Sequence, residues 1–244
     1  MGEAAKVVEL PENPEKKRRK ILIIVAACIV VLSLAAVLIL SFSPVIAAKK
    51  IEVTGTKLVD SKKLGESLEP LKGTPLPRIS EAKVQELIGD QPAIDEIVVK
   101  AQMPNTLVVE VIEAVPVAIL LEGKKEYLVS ETGKKLRTVG KKDKDKLPKI
   151  KASDVTADAE QFKLLTGILS TIDKKVLEEV STASLSKAGF AELALPKNRT
   201  LIWGDAKKAA LKNEVALIFL KELEKKHAAK TTIDVTNPEN PVVY

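Results

Sequence analysis

Ser184 with Lys187 in "SLSK", and the adjacent carboxylates Glu178 and Glu179 in "VLEEV", are the side chains best suited by type and spacing to chemistry. A serine beside an amine can be activated as a nucleophile, and two carboxylates flanking one bond can divide acid and base work. Both pairs have a plainer explanation. Serine–lysine neighbours arise by composition in a chain with 39 lysines and arginines. "VLEEVSTASLS" reads as an extended run, in which neighbouring side chains point to opposite faces, so Glu178 and Glu179 cannot flank one bond. The single histidine, His227, follows "KELEKK" near the end of an expected helix, where a cation is favourable. The single cysteine, Cys28, lies inside an apolar run as a small filler. One of each leaves no histidine–cysteine metal cluster and little scope for a Ser-His-Asp arrangement. No catalytic residue, metal ligand or cofactor is expected; a membrane-anchored extracytoplasmic hydrolase is the alternative.

Composition narrows the class further. The 244 residues carry a net charge of +6, of which the first twenty hold six basic and four acidic residues, leaving +4 for the rest. Aromatics are 3% of the chain, too few for the stacking platforms of a single-strand nucleic-acid binder. No nucleic-acid partner is expected.

The stretch "KKRRKILIIVAACIVVLSLAAVLIL" sets the organisation. From 21 to 40 every residue but Ser33 is apolar, and no charge follows until Lys49. Twenty helical residues rise about 30 Å, the hydrocarbon thickness of a bilayer. Five successive cations, Lys16 to Lys20, precede the run, whereas Lys49, Lys50 and Glu52 follow it. The cation-rich side stays in the cytoplasm. A cleavable signal peptide would suit Val45-Ile46-Ala47, but the apolar core of such a peptide runs only ~7–15 residues. The expected order is a cytoplasmic tail at 1–20, a single-pass transmembrane helix at 21–42, and extracytoplasmic domains at 49–116 and 117–244.

The first of these reads β-α-α-β-β. "KKIEVTG" alternates Ile51 and Val53 into Gly55; Ser61 opens a helix with Leu64, Leu68 and Leu71 that stops at Gly73; Ser80 caps a second with Val84, Leu87 and Ile88 inward. "IDEIVVKAQ" and "TLVVEVIEA" flank the turn "MPNT" as a hairpin. Two helices then cover one face of a three-stranded sheet. Beyond 117, "PVAILLEG" and "KEYLVSETGKKL" read as strands, and Asp158 with Gln161 opens a helix with Phe162, Leu165, Ile168 and Leu169 inward. "FAELALP" and "RTLIWGD" read as further strands. Asp205 caps a long helix sharing Leu211, Val215, Ile218 and Phe219 on one face, and "TTIDV" is a strand covered on one side. The fold class is α+β.

In their order these parts resemble the FtsQ/DivIB family of bacterial cell-division proteins. "IEVTG" resembles the first strand of its POTRA module, "MPNTLVVEVIEAVPVAIL" the strand leading into its β domain, and "EYLVSETGKKL", "LPKI", "LALPKNRTLIWGD" and "TIDVTNPENPVV" its later segments. Ser130 departs from the family's frequent aspartate at that turn, the tail is short, and the chain closes soon after its final segment at Tyr244. The resemblance implies a non-enzymatic divisome scaffold at the septum, binding FtsB/DivIC- and FtsL-type bitopic proteins outside the membrane and, further, septal wall-synthesis enzymes. An exposed terminal strand can accept a partner strand through main-chain hydrogen bonds. The expected partner-binding residues are Thr231, Thr232, Ile233, Asp234 and Val235, with Val242, Val243 and Tyr244 adding apolar contacts. Trp203 and Gly55 are expected to be structural.

Overall fold

Helix α1 (Pro14–Phe42) carries the long apolar run. The computed structural model describes residues 14–42, 46–140, 143, 146–152, 158–225 and 232–244. The side chains of α1 are described from 18 to 35, a window that opens on Arg18, Arg19 and Lys20. Among the described residues no helix is long and apolar enough to cross a membrane; the side chains of 36–42 lie outside them. Cys28 and its apolar neighbours on α1 are exposed.

Next come β1 (Lys50–Thr54), α2 (Ser61–Ser67), α3 (Glu81–Ile88), β2 (Ile94–Gln102) and β3 (Thr106–Glu113), the expected β-α-α-β-β order. The sheet order is β1-β3-β2, with β1 parallel and β2 antiparallel to the central strand. Alternate residues Leu107, Val109 and Val111 of β3 meet Leu64 and Leu68 from the α2 side and Val84 and Ile88 of α3 in one buried cluster. Ser80 caps α3, its hydroxyl accepting from Lys83 N. The cap of α2 is Asp60, not Ser61: its carboxylate accepts from Lys62 N at 3.0 Å, and a negative charge suits a helix N-terminus.

Two contacts at the ends of this sheet are unusually restrictive. Gly55 leaves β1 with φ +84°, and a Cβ there would lie 2.1 Å from the Val111 carbonyl oxygen. Immediately after it, the Glu113 carboxylate at the end of β3 accepts from Lys57 N at 2.8 Å, Leu58 N at 2.7 Å and Val59 N at 2.8 Å.

The remaining strands form one nine-stranded sheet. They are β4 (Pro116–Glu122), β5 (Lys125–Ser130), β6 (Lys135–Thr138), β7 (Lys149–Lys151), β8 (Thr182–Leu185), β9 (Ala191–Leu195), β10 (Arg199–Gly204), β11 (Thr232–Asp234) and β12 (Val242–Val243). Their order is β12-β11-β10-β9-β8-β7-β4-β5-β6. Helices α4 (Ala159–Leu169), α5 (Lys174–Leu177) and α6 (Ala209–Lys225) join the main core against this sheet. Asp158 caps α4 as expected, and Phe162, Leu165, Ile168 and Leu169 are all buried. Ser130 does the work of an aspartate at its turn, its hydroxyl accepting from Lys134 N at 3.2 Å.

Strand β4 is apolar on both faces because both are covered. Ala118 and Leu120 enter the main core, while Ile119 and Leu121 join Leu58, Val59, Ala93 and Ala114 of the first module in a separate cluster. Only Ala114 and Val115 separate β3 from β4, so the two sheets meet without a linker.

"VLEEVSTASLS" is not one extended run. α5 ends at Leu177, Glu178 is its C-cap, and only Thr182–Leu185 is strand. The cause is Asp173, whose carboxylate accepts from Lys175 N at 2.8 Å and starts a helical turn.

Replacing Gly55 with alanine should destabilise the protein by about 2 kcal/mol or more, since the positive φ alone costs ~1–3 kcal/mol and the carbonyl clash adds to it. Gly65→Ala is the matched control. Its Cβ meets nothing within 4 Å on α2, so it should stabilise by about 0.5–1 kcal/mol. Urea unfolding in detergent, followed by circular dichroism, separates the two.

Candidate functional site

The expected docking residues gather at one end of the nine-stranded sheet, though not in the expected arrangement. β11 is not the edge. It pairs in parallel with β10 on one side and is covered on the other by β12 of the same chain. Thr232 and Tyr244 exchange both hydrogen bonds, with Thr232 N donating to Tyr244 O at 2.6 Å and Tyr244 N to Thr232 O at 3.0 Å. Residues in an antiparallel pair alternate between bonded and non-bonded partners. The next pair, Ile233 with Val243, is therefore non-bonded, and the N–H and C=O of Val243 face outward from the sheet. Val242, Val243 and Tyr244 are 54%, 42% and 69% exposed, whereas Ile233 and Val235 are buried. Thr231 lies outside the described residues, as does His227.

A buried lysine supports this end of the sheet. Lys212 on α6 is 1% exposed, and its ammonium donates to Trp203 O at 2.9 Å, Asp205 O at 2.9 Å and Asp205 Oδ1 at 3.1 Å. All three of its protons are used. The same ammonium lies 6.0 Å from the centroid of the Trp203 ring, which is fully buried as the packing residue it was expected to be. Beyond Trp203, Gly204 turns with φ +78°, and a Cβ there would come 3.0 Å from the Thr236 side chain in the loop joining β11 to β12. Asp234 Oδ1 fastens the same loop by accepting from Thr236 N at 2.8 Å.

This arrangement changes the reading of α6. The helix starts at Ala209, and Asp205 is the acceptor for Lys212 and for Lys207 N, not the helix cap. Lys212 and Ala216 occupy the buried stripe; Leu211 and Ile218, expected inward, are exposed, while Val215 and Phe219 pack partly against the core. The signal was present as the stripe Ala209, Lys212, Ala216 and Leu220, but a lysine at its centre disguised it. Burial pushes the Asp205 carboxyl up; the hydrogen bonds from Lys212 and Lys207 N, with the charges of both lysines, outweigh this and hold it below the ordinary 3.8.

Of the chemistry-bearing pairs, Glu178 is the C-cap of α5 and Glu179 lines a pocket with Arg199 of β10 and Lys221 of α6. Ser184 sits on β8 opposite Glu192, and Lys187 lies in the turn that follows. Among the described residues no group of three or more histidine, cysteine or acidic side chains is placed to hold a metal ion.

Residues 46–114 match the family described as POTRA domain, FtsQ-type. The chain is 27% identical over 208 residues to the cell division protein FtsQ of Mycobacteroides abscessus, covering 84% of this chain and 64% of that one. It is 23% identical over 218 residues to FtsQ of Mycolicibacterium smegmatis, covering 89% and 63%. It is 23% identical over 215 residues to FtsQ of Streptomyces coelicolor, covering 84% and 81%. The chain thus spans under two thirds of the length of the two mycobacterial relatives.

Two outcomes are expected of the lysine and its carboxylate. Lys212→Met should cost about 2–4 kcal/mol by orphaning buried acceptors, with the emission of the single tryptophan moving to longer wavelength. Asp205 binds its proton more weakly folded than unfolded, so its contribution is present above 3.8 and is lost as pH falls through the lower folded value. Melting temperatures from pH 7 to pH 3 should therefore fall less steeply below pH 4 in Asp205→Asn than in the parent.

Proposed function

We propose that this chain, which carries an FtsQ-type POTRA domain and is related to FtsQ cell division proteins along most of its length, is a non-catalytic, membrane-anchored scaffold of the division machinery. It binds FtsB/DivIC- and FtsL-type bitopic proteins outside the membrane and so helps to regulate septal wall synthesis. The observation that carries this reading is the outward-facing amide of Val243 on an edge strand flanked by exposed Val242 and Tyr244. A partner segment joining that edge gains main-chain hydrogen bonds, and apolar side chains flanking them add contact area. Thr232, Ile233, Asp234 and Val235 act one strand further in, holding β12 in register.

The anchor is α1. Its apolar run from 21 to 40 follows five cations, and the described apolar side chains along it, such as Leu22 and Leu32, are 69% exposed. A helix so apolar all round is at home in lipid. The cations hold its N-terminal side in the cytoplasm, which leaves both sheets outside at the septum.

Val243→Pro is the discriminating variant. It removes an N–H that makes no bond within the sheet, so the fold should persist, with tryptophan emission unchanged. Co-purification of the cell's own FtsB- and FtsL-type proteins should be lost, and cells relying on the variant should grow as filaments. Full capture by a folded Val243→Pro protein would rule out the β12 edge. Release of the parent chain from membranes by alkaline carbonate would rule out the anchor.

A further inference from the structure

We propose, on the reading of α1 as a membrane anchor, that the α1-proximal end of the three-stranded module is a lipid-contacting surface that rests on the headgroups of an anionic bilayer. Three residues separate Phe42 from Ile46, so the module begins within about 14 Å of the helix end even if they are fully extended. The chain is then fixed at once. Ile46, Ala47 and Ala48 are buried, Ala47 bridges Pro75, Ala48 N donates to Thr74 O at 2.9 Å, and Gly73 N donates back to Ala48 O at 2.9 Å. Lys49 N and Lys50 N both donate to Asn105 O, at 2.8 and 3.2 Å. Two loops, 72–80 and the β2–β3 turn, are thereby clamped to the segment that leaves the membrane, and α1 itself comes within 8 Å, between Cα atoms, of the turn Leu76–Arg78.

The chemistry of this end suits a headgroup layer. The stretches 46–50, 72–80 and 102–106 hold four cations, Lys49, Lys50, Lys72 and Arg78, and no carboxylate. Lys50 and Lys72 pair with Glu52 and Glu69 just outside these stretches, at 2.5 and 2.7 Å, in exposed contacts that a lipid phosphate can replace. At the tip of the β2–β3 turn Met103 is 64% exposed beside exposed Pro104. An exposed apolar tip on the same hydrogen-bonded end as these cations is the pattern of a surface seated at an anionic interface.

The test uses the full chain in lipid nanodiscs, carrying Cys28→Ser and a bimane label on Met103→Cys or, for comparison, on Tyr244→Cys. Nitroxide-headgroup lipid should quench the label at 103 several-fold more than at 244. Quenching at 103 should rise from phosphatidylcholine to phosphatidylglycerol discs, and Lys49→Glu with Arg78→Glu should cancel that rise. Equal quenching at the two sites, in a chain that resists carbonate extraction, overturns the surface while leaving the anchor standing. Extraction by carbonate overturns both. Shielding at 103 that appears only when FtsB- or FtsL-type proteins are added overturns it by assigning the surface to a protein.

Discussion

One ammonium group organises the end of the molecule where partners are proposed to dock. Lys212 brings a charge into the core, which is costly unless every proton is matched, and the structure matches all three with acceptors from Trp203 and Asp205. Those acceptors sit where β10 ends and the chain turns at Gly204. The lysine therefore fixes the direction in which β10 stops, the turn that Thr236 packs on, and through these the position of β11 and β12. Asn213, the next residue on α6, ties the helix to the α4–α5 connection by donating to Thr171 O at 3.0 Å and accepting from Asp173 N at 2.7 Å. Adjacent side chains of one helical turn thus hold two separate parts of the core in place.

A second polar group does comparable work at the other end. The Glu113 carboxylate collects three consecutive backbone N–H groups, and the loop it gathers supplies Leu58 and Val59 to the cluster under β4. Its position at the end of β3, with only two residues between it and β4, makes this carboxylate part of the joint between the sheets. The joint is apolar on the side of Ile119 and Leu128, so the modules meet across a packed contact instead of a hinge.

Much of this was legible from side-chain periodicity. α3 and α4 showed their buried faces because apolar residues dominate them, Thr166 of α4 being the polar exception, and their caps, Ser80 and Asp158, are short polar residues immediately before the pattern begins. The hairpins were visible through their turn residues. α6 misled because its central buried position is a lysine whose acceptors belong to a distant strand end, and no helical period reveals those. The short elements were equally hidden. α5 is one turn, and β12 is two residues, too few to show alternation, so nothing local announced that the chain folds back on β11. The residues expected to dock partners lie together on β11 and β12, and the outward amide is on β12, one strand beyond the one expected to form the edge.

The brevity of β12 has a consequence for solubility. Long unguarded sheet margins template runaway stacking of identical copies. Here the strand holds two residues, and Pro241 precedes it at a position whose amide would otherwise face outward with that of Val243. Pro241 thus removes one outward donor from this margin, leaving the amide of Val243 with fewer neighbours on which another copy of the sheet could build.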